Sequence, residues 1–286
     1  MTYKSLLEVI RPTTPIRSDR LDCHVGAKVT LAYEGFQHTG SFKFRAAYSV
    51  ASNVGNEEIY TASSGNYGQA LAYACQLLGK RCKVVMPDTS ARVKMEDVRA
   101  YGGEVDLIDT RTKSRNQRLQ ELRDENPGAY ISSPYDDPLV VEGNLTLGKE
   151  ISNMGEFDYI IAPIGGGGLT SGIIIGLDPS HRIKNLTKIL GAEPELANDA
   201  ARSLRTGVRA VNQTETQTIA DGARTLSLGD YNWPILRDGL SGIFEVSEYF
   251  IKEAVRVLFS VGVLAEPTGA LSIGALLQYP DTIRDR

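Results

Sequence analysis

Residues 158–172 read DYIIAPIGGGGLTSG: an apolar run ending at Ile164, four consecutive glycines, and a segment able to open a helix. A short run rich in Ile, bounded by glycine, has the length and β-branched content of a buried strand. Glycine lets the chain turn tightly and bring backbone N–H groups toward an anion, and a helix N-terminus beyond it adds positive partial charge. The stretch is either a tight strand-to-helix turn or a phosphate cradle, and four glycines exceed what the turn alone requires. Two phosphate loops are excluded. No Gly-Lys-Ser/Thr follows, as a nucleoside triphosphate site needs, and the third glycine of a dinucleotide fingerprint falls on Thr170 or Ser171.

Outward from this stretch, strand-like and helix-like segments alternate. AKVTLAYE reads as a strand, EEIYTAS as another, NYGQALAYACQLLG as a helix, RCKVVMP as a strand, and ARVKMEDVRAYGG as a helix closed by glycine. EVDLID, TKSRNQRLQELRDENPG and AYISS continue as strand, helix and strand. A second set runs through GNLTLGKEISNMG, FDYIIAPIG, LTSGIIIGL and LTKILGAEP. The pattern predicts an α/β protein with two open, twisted, mostly parallel sheets covered by helices. A small domain over 52–138 is expected, inserted into a larger one formed by 1–51 and 139–286. In such sheets ligands bind beyond the carboxyl ends of the strands, so motifs placed just after strands carry the functional argument.

The chain has 286 residues, 42% hydrophobic and 23% charged, with a formal net charge of −4. Its lysines and arginines are scattered, so no basic stripe suits nucleic acid, and no apolar run approaches the ~18 residues of a membrane span. The start MTYKSLLEVIRPTTPI lacks a secretory hydrophobic region, which makes the cytoplasm the expected location. Cys23, Cys75 and Cys82 lack metal-ligand spacing and read as reduced thiols. His24, His38 and His181 are too few and scattered for a histidine metal site. A small-molecule ligand is expected.

HTGSFKFRAA, residues 38–47, puts Lys43 into what otherwise reads as the buried start of a helix. One reading is a solvated ammonium with its stem over apolar surface; the other is an amine that forms a Schiff base with a carbonyl. TASSGNYGQALAYA follows a strand and opens a helix, with Ser63, Ser64, Gly65 and Asn66 at the turn. These residues form either an N-cap cluster or a receptor for a carboxylate. An amine, a phosphate cradle and a carboxylate-binding turn are together what pyridoxal 5′-phosphate and an amino-acid substrate need.

GSFKFRAA, SSGNYGQAL and GGGGL resemble, in this order, the motifs of the fold-type II pyridoxal-phosphate enzymes of the tryptophan synthase β-like fold, in the serine racemase and threonine (serine) dehydratase branch. The resemblance continues through TIADGARTLSLGDYNWPILRD and AEPTGA. It implies that Lys43 bonds the cofactor, Phe42 flanks its ring and Asn66 hydrogen-bonds its 3′-oxygen. It implies that Gly165, Gly166, Gly167, Gly168 and Leu169 bind the phosphate. Ser63, Ser64, Gly65, Asn66 and Tyr67 would receive the substrate, with Ser64 facing Cα opposite Lys43. In GAEPELANDA it implies that Glu193, the carbonyl of Ala197 and Asp199 hold a divalent cation, Mg²⁺, Mn²⁺ or Ca²⁺. The implied activity is β-elimination of a small hydroxy-amino acid to a keto acid and ammonia, with racemisation as a second outcome. A homodimer is implied as well.

The sequence departs from this pattern in places. The family continues to a strand ending in Ser/Cys-Gly-Gly-Asn, whereas this sequence reaches Arg286 first. Gly-Gln-Gly-Thr becomes Gly143-Asn144-Leu145-Thr146, Tyr67 stands for a common histidine and Ala46 for a common glycine. The alternatives are therefore a 3-hydroxyaspartate dehydratase and a catalytically impaired homologue. The latter rests only on the missing C-terminal strand.

Overall fold

The computed structural model describes residues 4–63, 65–177, 187–214 and 216–282. Ser64 and His181 lie outside the described residues. By its internal contacts the chain divides into two compact units, Met1–Pro12 with Phe36–Asn144, and Thr13–Gly35 with Leu145–Arg286. The sequence reading groups 1–51 with the second set of elements. In the structure the helix Lys43–Asn53 goes with the first set, because Phe44, Ala47 and Val50 share a core with Ala70 and Leu71 of the helix Asn66–Leu78.

Nine strands occur among the described residues. Thr14–Arg17 (β1) and Thr30–Tyr33 (β2) form an antiparallel ribbon in the second unit. Glu58–Ala62 (β3), Arg81–Pro87 (β4), Glu104–Ile108 (β5) and Tyr130–Ser132 (β6) form the parallel sheet of the first unit, in the order β5-β4-β3-β6. Tyr159–Pro163 (β7), Lys188–Pro194 (β8) and Gly242–Val246 (β9) form a second parallel sheet in that order.

In the first unit both sheet faces are covered, so its central strands are apolar at successive positions instead of alternating. Ile59, Val84 and Met86 pack under Phe44, Ala70 and Leu71. On the other face Tyr60, Val85 and Ile108 meet Leu122 of the helix Arg115–Glu125. Burying side chains such as Ile59, Leu71 and Met86 contributes ~1.5–3 kcal/mol each against exposure to water. Local chemistry sets the ends. The helix Asn66–Leu78 stops at Gly79, whose left-handed backbone (φ 67) lets its N–H reach the carbonyls of Cys75 and Gln76. Ser114 and Gln117 close a capping box on Arg115–Glu125.

The parallel order decides where a site forms. Strand β3 lies between β4 and β6, so the connections leave it in opposite directions and a crevice opens at the carboxyl ends of β3 and β6. Ser63 and Gly65 follow the first of those ends and residues 133–137 the second. In the second unit the glycine run follows β7, and Glu195–Ala197 follows β8. Among the described residues no helix is long and apolar enough to cross a membrane.

Candidate active site

In the first unit Lys43 opens the helix Lys43–Asn53, preceded by Phe42 at its N-cap. Lys43 is half-buried, an intermediate between the two readings of its sequence. Its Nζ donates to the Pro134 carbonyl at 2.9 Å, across the β6 end of the crevice. The same ammonium lies 5.2 Å from the centroid of the Phe42 ring and 5.7 Å from that of Tyr67. The fold thus brings Lys43, from one helix start, to Tyr67, from the first turn of another.

The loop after β3 is organised around that turn. Ser63 is nearly buried, its N–H donates to the Val85 carbonyl, and its Oγ accepts from the Gly65 N–H at 3.3 Å. Asn66 is the first residue of the helix Asn66–Leu78, whose first turn carries no acidic side chain. Tyr67 is buried and shares a hydrogen bond with the Ser132 hydroxyl, and burial pushes its own hydroxyl pKa up, so it stays protonated. Sequence reasoning missed Pro134 and Ser132 as partners, and it missed Lys94. The Nζ of Lys94 lies 4.0 Å from where a Cβ on Gly65 would stand. A loop following β4 was the available signal, since β4 neighbours β3 and ends at the same sheet edge.

In the second unit the glycine run forms the turn between β7 and the helix Gly168–Gly176. The Gly166 carbonyl accepts from the Gly229 N–H at 3.0 Å and from Asn232 Nδ2 at 2.8 Å. Across a planar trans peptide the N–H points opposite to the carbonyl, so the Gly167 N–H is turned away from these two donors. Gly167 has φ 94, and a Cβ there would stand 2.6 Å from Leu236 Cδ1. A Cβ at Gly165 would stand 2.9 Å from the Gly222 carbonyl oxygen. Gly168 and Leu169 begin the helix, whose first turn has no acidic residue. Fixed N–H groups at an uncharged helix start fit a phosphate.

Elsewhere in this unit Glu193 lies near the end of β8 and accepts from the N–H groups of Ala200 (3.1 Å) and Ala201 (2.6 Å). Asp199 opens the helix Asp199–Thr206, accepts from Asn212 Nδ2 at 2.8 Å, and keeps its other carboxylate oxygen buried without a hydrogen-bond partner. Burial raises the Glu193 carboxyl to about 9 and the Asp199 carboxyl to about 6. Ala197 lies in the single turn Glu195–Ala197 between them. No group of three or more His, Cys, Asp or Glu side chains among the described residues forms a metal cluster. Two carboxylates and a carbonyl are what this region offers.

Comparison with known proteins places these features in a family. A family model described as pyridoxal-phosphate dependent enzyme matches residues 6–286. A beta-hydroxyaspartate dehydratase of Paracoccus denitrificans is 33% identical over 293 residues, covering 98% of this chain and 91% of that protein. A serine racemase of Schizosaccharomyces pombe is 32% identical over 280 residues, covering 96% and 85%. The solved structure of maize serine racemase superposes with a TM-score of 0.89 at 31% identity, covering 98% of this chain and 85% of that one. With the match running over almost its whole length, the chain belongs to the family of pyridoxal-phosphate dependent enzymes.

Proposed function

We propose that the protein is a pyridoxal-phosphate dehydratase that converts a small β-hydroxy-amino acid to a keto acid and ammonia, with some racemisation of the same substrate. The observation that carries this reading is the approach of Lys43 to Tyr67, in the first turn of the helix that Asn66 opens. Pyridoxal phosphate, when bound, supplies the electron sink that makes a Cα proton removable. Lys43 is the covalent anchor and the base at Cα, Phe42 flanks the ring, Asn66 bonds its 3′-oxygen, and Gly165–Gly168 with Leu169 hold the phosphate. The loop 63–67 orients the substrate carboxylate at the N-terminus of the helix Asn66–Leu78. Removal of the Cα proton with departure of the β-hydroxyl, followed by hydrolysis, gives the keto acid and ammonia. Ser64 is assigned the proton on the opposite face, which makes racemisation the competing outcome.

A second reading, 3-hydroxyaspartate as the substrate, is supported by relatives bearing that activity in their names, including an L-threo-3-hydroxyaspartate ammonia-lyase of Saccharomyces cerevisiae that is 34% identical. Keto-acid formation from L-serine, L-threonine and L-threo-3-hydroxyaspartate, with chiral analysis of the remaining substrate, tests both. Release of keto acid from at least one is expected. Neither keto acid nor inversion from any of the three sinks the proposal. A cytoplasmic homodimer belongs to the same reading.

A divalent cation at Glu193, Asp199 and the Ala197 carbonyl is supported by the buried partnerless oxygen of Asp199. Both carboxyls have folded pKa values above their ordinary values of 4.5 and 3.8. In cation-free protein these acids favour the protonated form, so stability falls as pH rises from the ordinary values toward the folded ones. A cation replaces the proton. Chelation by EDTA is therefore expected to lower Tm more at pH 8 than at pH 5, with Mg²⁺ or Ca²⁺ restoring it. A Tm indifferent to EDTA and to both cations at pH 8 removes the cation from the proposal.

A further inference from the structure

Asn232 has no role in the reaction proposed above, yet it is wholly buried at the first position of the helix Asn232–Gly239 and directs its amide to the glycine run. It lies over Gly167 beside Leu228 and Leu236, where an apolar side chain would fill the same space. A buried amide is unfavourable unless it is hydrogen-bonded, so the polar choice calls for a partner. That partner is the Gly166 carbonyl, 2.8 Å from Asn232 Nδ2, and the Gly229 N–H meets the same oxygen at 3.0 Å. Gly229 is itself held in place. Arg209 donates to the Leu228 carbonyl at 2.8 Å and to the Ser227 hydroxyl at 3.2 Å, and the Gly229 carbonyl accepts from the Trp233 N–H at 3.0 Å.

We infer that Asn232 is a positioning residue for the cofactor phosphate: it fixes the peptide plane between Gly166 and Gly167 so that the Gly167 N–H faces the anion. The inference rests on the reading of the glycine run as the phosphate cradle. A peptide flanked by two glycines rotates easily as a unit, because neither residue has a Cβ to restrict its dihedral angles. Two donors on its carbonyl set the plane, and the trans geometry then turns the N–H to the opposite side. Packing acts from the same wall, since a Cβ on Gly167 would stand 2.6 Å from Leu236 Cδ1 and 3.2 Å from Asn232 Cβ. The Asn232 hydrogen bond also polarises the peptide and strengthens its N–H as a donor. A well-aligned hydrogen bond to a charged group contributes about 10- to 100-fold in affinity, more than one between neutral groups.

The test titrates the full-length apoprotein with pyridoxal 5′-phosphate and with pyridoxal, which keeps the aldehyde that reacts with Lys43 and lacks the phosphate, and reads both dissociation constants from absorbance. The wild-type protein is expected to bind the phosphorylated aldehyde far more tightly. Asn232→Leu keeps the buried volume and removes the donor, and Asn232→Ala is the second variant should leucine not pack. In either folded variant the dissociation constant for pyridoxal 5′-phosphate is expected to rise about 10- to 100-fold, while that for pyridoxal stays within about twofold of wild type. A ratio of the two constants equal to that of wild type, whether both are unchanged or both weaken together, overturns the role of Asn232 alone. A wild-type apoprotein that binds the two aldehydes equally overturns the phosphate-cradle reading and this inference with it.

Discussion

Replacing Lys43 with alanine is expected to leave a folded protein with the proposed dehydratase activity reduced on the order of 10³-fold or more, because the proposed mechanism assigns one side chain both the covalent link and the proton transfer at Cα. Stability should change little. The side chain is only half-buried, and its hydrogen bond to the Pro134 carbonyl is worth about 0.5–1.5 kcal/mol net. The cofactor readout is independent of turnover. Borohydride treatment of the wild-type holoprotein should place the pyridoxyl label on the peptide containing residue 43, and the variant should show no label there. Added alkylamines should restore part of the proton-transfer rate in Lys43→Ala, since the space left by the side chain faces the Phe42 and Tyr67 rings. A label on another lysine, or a variant with wild-type kcat, would remove Lys43 from the centre of the chemistry.

Much of this site is legible in the sequence because its parts are local. The strand, glycine run and helix of 158–176 are contiguous, and the observed strand Tyr159–Pro163 and helix Gly168–Gly176 fall where the apolar run and the glycines put them. RCKVVMP is a strand at the very residues read as one, since a strand covered on both faces needs apolar neighbours at consecutive positions. Other features depend on chemistry that pattern alone hides. The helix read as beginning at Gly143 begins at Pro138 instead. Asp137 accepts from the Leu139 N–H at 2.9 Å, and proline suits the first helical position because it has no N–H to satisfy. The DDP signal was a helix start that reads equally well as a loop. Strand β2 falls within AKVTLAYE, which reads as a strand, whereas its antiparallel partner β1, four residues with no buried side chain and a proline, is too short and too weakly apolar to announce itself. The approach of Lys94 to Gly65 is a consequence of β4 pairing with β3, and no spacing along the chain encodes it.

The same dependence on packing makes Gly143 a position where a single methyl group should disturb both stability and the placement of Lys43. A Cβ there would stand 2.4 Å from the Arg45 carbonyl oxygen and 2.7 Å from the Ala46 Cα, both backbone atoms of the helix that Lys43 opens. No side-chain rotation relieves contacts with backbone, so the two helices must separate. Overpacking of this kind costs about 1–3 kcal/mol, against about 1 kcal/mol that alanine gains over glycine in helix propensity. Gly143→Ala should therefore lower Tm by a few degrees, about 2–4 °C per kcal/mol of net loss for a chain of this size. Activity should fall further than stability. Arg45 and Ala46 follow Lys43 by two and three residues, and a displacement of about 1 Å in a reacting group can cost about 10²-fold in rate. Gly55→Ala is the control, because among the described residues no heavy atom apart from its own and its chain neighbours' lies within 4 Å of the Cβ it would add. If Gly143→Ala keeps both Tm and kcat while Gly55→Ala does the same, the two helices do not cross this closely in solution. If Tm holds and kcat alone falls, the crossing acts chiefly to set the position of the Lys43 amine.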